Sequence, residues 1–145
     1  MFDELIKYKQ NNHFFYTPTQ SLKESCNAPV NRGGVYLVYA LANGRTELVY
    51  IGCSGKKNID GSIFIRKAGL GGIKDRIVNG YQFGKTPRRI SWPTQMLIEN
   101  IEALDVYWYT THGSEYSDCP REVEQSLLKK HLAFSGRLPR WNRTI

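Results

Sequence analysis

The stretch from Gly33 to Gly52, GGVYLVYALANGRTELVYIG, constrains the fold of this chain more than any other. Leu37, Val38 and Tyr39 precede Asn43-Gly44, and Leu48, Val49, Tyr50 and Ile51 follow it. The flanks have strand composition, and an Asn-Gly pair accepts the positive φ angles that a tight two-residue turn demands, so the stretch predicts a β-hairpin. Each strand also carries a tyrosine beside a glycine, Gly34-Val35-Tyr36 entering and Tyr50-Ile51-Gly52 leaving. A sheet core has no need of that pairing.

The remaining elements are read around the hairpin. GIKDRIVN, Gly72 to Asn79, predicts a short helix stopped by Gly80, with Ile73 and Ile77 inward. At about 100° per residue Arg76 falls beside that stripe, at the rim of the core. Pro93 predicts the first turn of a helix reaching Leu104, with Met96, Leu97, Ile101 and Leu104 inward, and Asp105 to Thr110 a third strand. Asp118, Cys119 and Pro120 open a last helix that runs to about Ser135 before Gly136. Val123, Leu127, Leu128 and Phe134 form its apolar face. Glu124 falls inside that face and Glu122 points away. A carboxylate in a buried stripe is costly unless a cation or metal meets it, so Glu124 is a candidate ligand. His131 projects to nearly the same side and reads more simply as a rim histidine.

The segment before the hairpin, residues 1–32, reads as an extension: a short amphipathic helix over residues 2–12, then irregular chain with a helical turn near Ser21 to Ser25. Residues 33–145 make the main domain. The expected architecture is α/β (α+β), a small three-stranded, mainly antiparallel sheet flanked by helices.

Charge bears on partners. Lysine and arginine number 20 against 13 aspartate and glutamate, a net charge of +7, which favours a polyanion. The cations concentrate in two loops. Cys53 to Gly72 predicts a long basic loop carrying Lys56, Lys57, Arg66 and Lys67, either a phosphate-binding segment or a solvated insertion. Tyr81 to Trp92 interleaves Lys85, Arg88 and Arg89 with Tyr81, Phe83 and Trp92, a mixture suited to neutralising a backbone and stacking on bases. Gly80-x-x-x-Gly84-Lys85-Thr86 is one residue short of a phosphate-binding P-loop and lacks the helix that should follow, so that reading is rejected. Three scattered cysteines and three scattered histidines offer neither a disulfide framework nor a zinc cage. No secretory leader or membrane-length apolar run is present, and the expected location is the cytoplasm.

Taken in order, Gly34-Val35-Tyr36, Tyr50-Ile51-Gly52, Arg76 on a following helix, Glu124 in E-x-x-L-L and Asn142 in Pro139-Arg140-Trp141-Asn142 resemble the GIY-YIG nuclease family over about Gly33 to Asn142. Three departures stand out. Val35 replaces the isoleucine of the first motif. The longer segment after Gly52 keeps Arg66 as a second candidate for the arginine. Gly80 stands four residues after Arg76, where members often carry histidine or tyrosine, and Tyr81 comes next. The resemblance implies a metal-dependent DNA endonuclease. In it Tyr36 or Tyr50 activates a water, Arg76 clamps the phosphate, Glu124 holds Mg2+ or Mn2+, and Asn142 orients the site. The monomer or a homodimer would act on DNA, with RNA also open. An ordinary phenol titrates near pH 10, so the basic tyrosine needs Arg76 or another cation beside it. The alternative is a non-catalytic DNA- or RNA-binding module on the same fold.

Overall fold

The computed structural model describes residues 1–144. The hairpin forms as expected, with β2 (Gly34–Ala42) and β3 (Arg45–Ser54) paired antiparallel. Asn43 and Gly44 have φ of 53° and 71°, the left-handed conformation that lets a two-residue turn follow the strands' twist. The register shifts opposite Val38/Tyr39, where Val49 is the extra residue of a bulge in β3.

The sheet has four strands, one more than expected. β6 (Ala103–Thr110) lies along β2, and β1 (Asn11–Tyr16) pairs with the far side of β6, giving the antiparallel order β1-β6-β2-β3. Residues 2–12 are therefore no amphipathic helix. Only Asp3–Leu5 form a 3-10 turn, and the strand begins at Asn11. Alternation explains it: Phe14 and Tyr16 turn into the core while His13 and Phe15 face out, a period of two that a helix would scramble. α1 (Leu22–Ser25), capped by the Ser21 hydroxyl, sits where a helical turn was expected. Leu22, Cys26 and Ala28 join the core behind it.

Helices cover both faces of the sheet. On one side α2 (Gly72–Asn79) and α3 (Arg88–Glu99) bring Ile73, Ile77, Trp92 and Met96 against Tyr36, Val38, Val106 and Trp108. On the other, α4 (Pro120–Ser135) brings Val123, Leu127 and Leu128 against Val35, Leu37 and Ile51. Each such aliphatic side chain contributes about 1.5–3 kcal/mol by leaving water. The expected bounds of α2 and α4 agree with the structure, and Gly136 caps α4 at φ 78°. α3 starts five residues before Pro93 and ends at Asn100 in the left-handed conformation, so the helix does not reach Leu104. Leu97 and Phe134, both expected inside, are 70% and 79% exposed. The apolar contact of α4 with the sheet ends at Leu128, leaving its last turns without a surface to cover.

The basic segment after β3 is partly ordered by pairing of β4 (Lys56–Lys57) with β5 (Ile63–Phe64). It returns to α2 through Asp75. That buried carboxylate accepts from Arg66 Nε at 2.6 Å, the Leu70 N–H at 2.9 Å and Asn79 Nδ2 at 2.7 Å. Burial alone would raise its pKa, yet these donors hold it below the usual carboxylate range. Among the described residues no helix is long and apolar enough to cross a membrane.

Candidate active site

Both motif glycines answer to crowding. A Cβ on Gly34 would collide with the Tyr109 carbonyl on β6, so the close approach of β2 to β6 excludes a side chain there. A Cβ on Gly52 would stand 2.5 Å from Tyr36 Cζ and 2.7 Å from Tyr50 Cε2. Gly52 thus makes room for two tyrosine rings that converge from neighbouring strands. Their centroids are 6.1 Å apart.

The two tyrosines differ in surroundings. Tyr36 is fully buried, and its hydroxyl has no hydrogen-bond partner among the described residues. Burial drives its pKa upward, against the opposing pull of the Arg88 and Arg76 charges. Tyr50 is half-buried and lines a cleft of about 500 Å³ together with Tyr81, Arg121, Glu124, Trp141 and Asn142. Only Tyr50 is open to a bound molecule.

Arg76 lies at the rim, as its helical phase requires, and lines a neighbouring groove of about 350 Å³ with Cys53, Lys56, Arg66 and Arg121. Its Nε is buried without a partner among the described residues, and the adjoining Tyr36 phenol favours its charged form. Arg66 is tied to Asp75 and organises the loop, so of these two arginines it is Arg76 that adjoins the tyrosines. Glu124 is half-buried on the cleft wall, whereas Glu122 is exposed. Burial raises the Glu124 pKa, opposed by the Cys53 thiol and by Arg121 and Arg76. Cys53 is in turn pushed up to about 12 by burial and by Glu124. Glu124 forms no ion pair among the described residues.

Asn142 clamps the outer edge of β3. Its Oδ1 accepts the Ile51 N–H and its Nδ2 donates to the Ile51 C=O, each at 2.9 Å. Trp141 packs edge-on against Phe83 at 5.0 Å and closes the core beside the cleft.

The expected nucleic-acid contacts divide. Lys56, Lys57, Lys67, Tyr81, Lys85 and Arg89 are exposed, and Arg89 donates to Asn79 Oδ1. Arg88 is a correction. It is 1% exposed, packed among Tyr36, Tyr50 and Trp92, and cannot reach a surface phosphate. Between Pro87 and Arg89 it reads as one of a surface pair, and only the aromatic rings gathered from residues 36, 50 and 92 bury it. Arg121, which lines both the cleft and the groove, was missed. Its signal was its place one turn before Glu124. Tyr81 lies on the cleft wall and Gly80 packs against Arg88 and the Arg76 carbonyl.

Among the described residues no group of three or more His, Cys, Asp or Glu could hold a metal ion by itself. A single carboxylate still fits one kind of site. Mg2+ retains several waters and commonly takes one or two carboxylates plus substrate phosphates. Glu124, free of ion pairs and open to a cleft beside two arginines, offers that donor set. No family model, no curated protein and no solved structure matches the chain.

Proposed function

We propose that this chain is a metal-dependent DNA endonuclease of the GIY-YIG type. The observation that carries the reading is the convergence of Tyr50, Glu124 and Asn142 on one cleft, with Tyr36 packed beside Tyr50 and Arg121 joining the cleft to the basic groove that Arg76 lines. A binding surface needs cations. It does not need a half-buried carboxylate without an ion pair among the described residues, beside a half-buried arginine and a buried phenol, each of which costs folding stability.

The chemistry follows from these positions. Phosphodiester hydrolysis needs a proton acceptor for water, positive charge around the phosphoryl oxygens and help for the departing oxygen. Tyr50, open to the cleft, is the proton acceptor, because the enclosed Tyr36 hydroxyl has no route to a water. Arg76 and Arg121 face the phosphate. Asn142 fixes β3, and with it Tyr50, at constant depth. A divalent cation on Glu124 would supply charge for the departing oxygen. Lys56, Lys57, Lys67 and Lys85 would follow the backbone on either side, making affinity fall with salt.

The test is plasmid nicking in Mg2+ or Mn2+ with a chelator control. Cleavage should need the metal, fall by about 10³-fold in Glu124→Ala and persist in Glu122→Ala. Binding without cleavage of any DNA form under any metal would instead assign a nucleic-acid-binding module.

A further inference from the structure

Arg88 is the most deeply enclosed charge near the cleft, at 1% exposure, and no anion among the described residues neutralises it. Its Nε donates to Gln82 Oε1 at 2.9 Å, Nη1 to the Arg76 carbonyl at 2.7 Å, and Nη2 to the Tyr50 hydroxyl at 3.2 Å. The guanidinium carbon lies 5.2 Å from the Tyr50 ring centroid, 5.6 Å from Tyr36 and 5.7 Å from Trp92. Among the described residues no carboxylate comes within ion-pair distance. Neutral acceptors and ring faces offset part of the desolvation, but the net charge stays. A fold that needed only packing here would do as well with an apolar side chain.

The contacts of Arg88 all lead to the site. One fork of the guanidinium holds the end of α2 at the residue that carries the rim arginine. The other holds the hydroxyl of the tyrosine that opens on the cleft. Gln82 completes the frame by also accepting from Trp92 Nε1 at 2.8 Å. We infer that Arg88 is a positioning residue, which fixes the Tyr50 hydroxyl at the wall of the cleft and places a buried positive charge beside it.

This rests on the nuclease reading. In that reaction the Tyr50 oxygen, as phenolate, takes a proton from water, and the water oxygen forms a bond to phosphorus. The bond from phosphorus to the sugar oxygen breaks, its electron pair stays on that oxygen, and a solvent proton neutralises it. The groups around Tyr50 are Tyr36 on β2, Arg76 on α2, Arg88 on α3, Arg121 and Glu124 on α4, and Arg143 in the tail. Arg121 and Arg143 are exposed and screened by water, and Glu124 opposes a phenolate. Arg88 is the enclosed cation that bonds the hydroxyl itself.

The experiment compares Arg88→Met, Arg88→Lys, Tyr50→Phe and the Arg88→Met/Tyr50→Phe double variant. Arg88→Met should fold, since an unbranched apolar chain replaces a buried charge that has no ion-pair partner among the described residues. Its kcat should fall about 100-fold or more, with KM and DNA Kd changed less than about threefold. Arg88→Lys should recover part of kcat. The double variant should be no slower than Tyr50→Phe, because the two residues act as a unit. A wild-type kcat in Arg88→Met overturns the inference and leaves the nuclease reading standing. So does a loss confined to DNA affinity, which marks a phosphate contact. If Arg88→Met does not fold, Arg88→Lys carries the same readouts. If the wild-type protein cleaves nothing, the nuclease reading fails, and NMR of tyrosine Cζ-labelled protein still decides the contact. The signal lost in Tyr50→Phe should shift in Arg88→Met and Arg88→Lys, and an unmoved signal overturns the positioning role.

Discussion

The β2–β3 hairpin shows two faces made by the same two strands, and they are built to opposite rules. Toward α4, Val35, Leu37 and Ile51 meet Val123, Leu127 and Leu128, all buried and all aliphatic. Toward α2 and α3, the strands present Tyr36 and Tyr50 over a glycine, with a carboxylate-free arginine packed on both rings. Two polar atoms there, Tyr36 Oη and Arg76 Nε, are enclosed without partners among the described residues. The first face holds the sheet together. The second gives up stability to keep polar groups poised around a cleft, a pattern expected of functional sites.

Substitutions on each face can break this contrast. The largest effect should come from Leu127→Ala on the aliphatic face, with a loss of about 3 kcal/mol in denaturant unfolding and little change in cleavage per folded molecule. Gly52→Ala should follow, costing about 2 kcal/mol because its Cβ displaces both tyrosine rings, and here cleavage should fall with stability. Tyr36→Phe should have the opposite sign, gaining about 1 kcal/mol by deleting an unsatisfied buried hydroxyl while slowing cleavage. If it destabilises, the hydroxyl has a partner and the contrast between the faces weakens.

The smallest effect is pH-dependent. The Glu124 pKa is raised in the folded state, so folding favours its protonated form. Stability therefore declines as pH rises from the ordinary glutamate value, about 4.3, through the raised one, and the penalty is complete above it. Glu124→Gln should be more stable than the wild type at neutral pH, by under about 1 kcal/mol given its partial exposure, with the difference vanishing below about pH 4. Thermal melts at the two pH values check it.

What was legible in the sequence was what local chemistry decides. Asn43-Gly44 announces its turn, Gly80 and Gly136 announce helix ends, and helical phase separates Glu124 from Glu122. The α+β class follows from these pieces. β1 was illegible because an edge strand is defined by its partner, and Asn11 pairs with Tyr109 from the other end of the chain. Arg88 failed for the same reason, its burial depending on three rings from distant segments. For Leu97 and Phe134 the stripe was read correctly as apolar, but no surface lies against it.

Asn142 has a second consequence, for solubility. β3 is an edge strand, and its outward backbone groups are a template on which another chain's strand could pair. The Trp141 N–H occupies the Val49 carbonyl, and the Asn142 amide occupies both the N–H and the C=O of Ile51. The tail thus seals the part of the edge that borders the cleft. A chain ending at Leu138 would lose more than a site residue: it would expose an unpaired, aliphatic strand and self-associate along it.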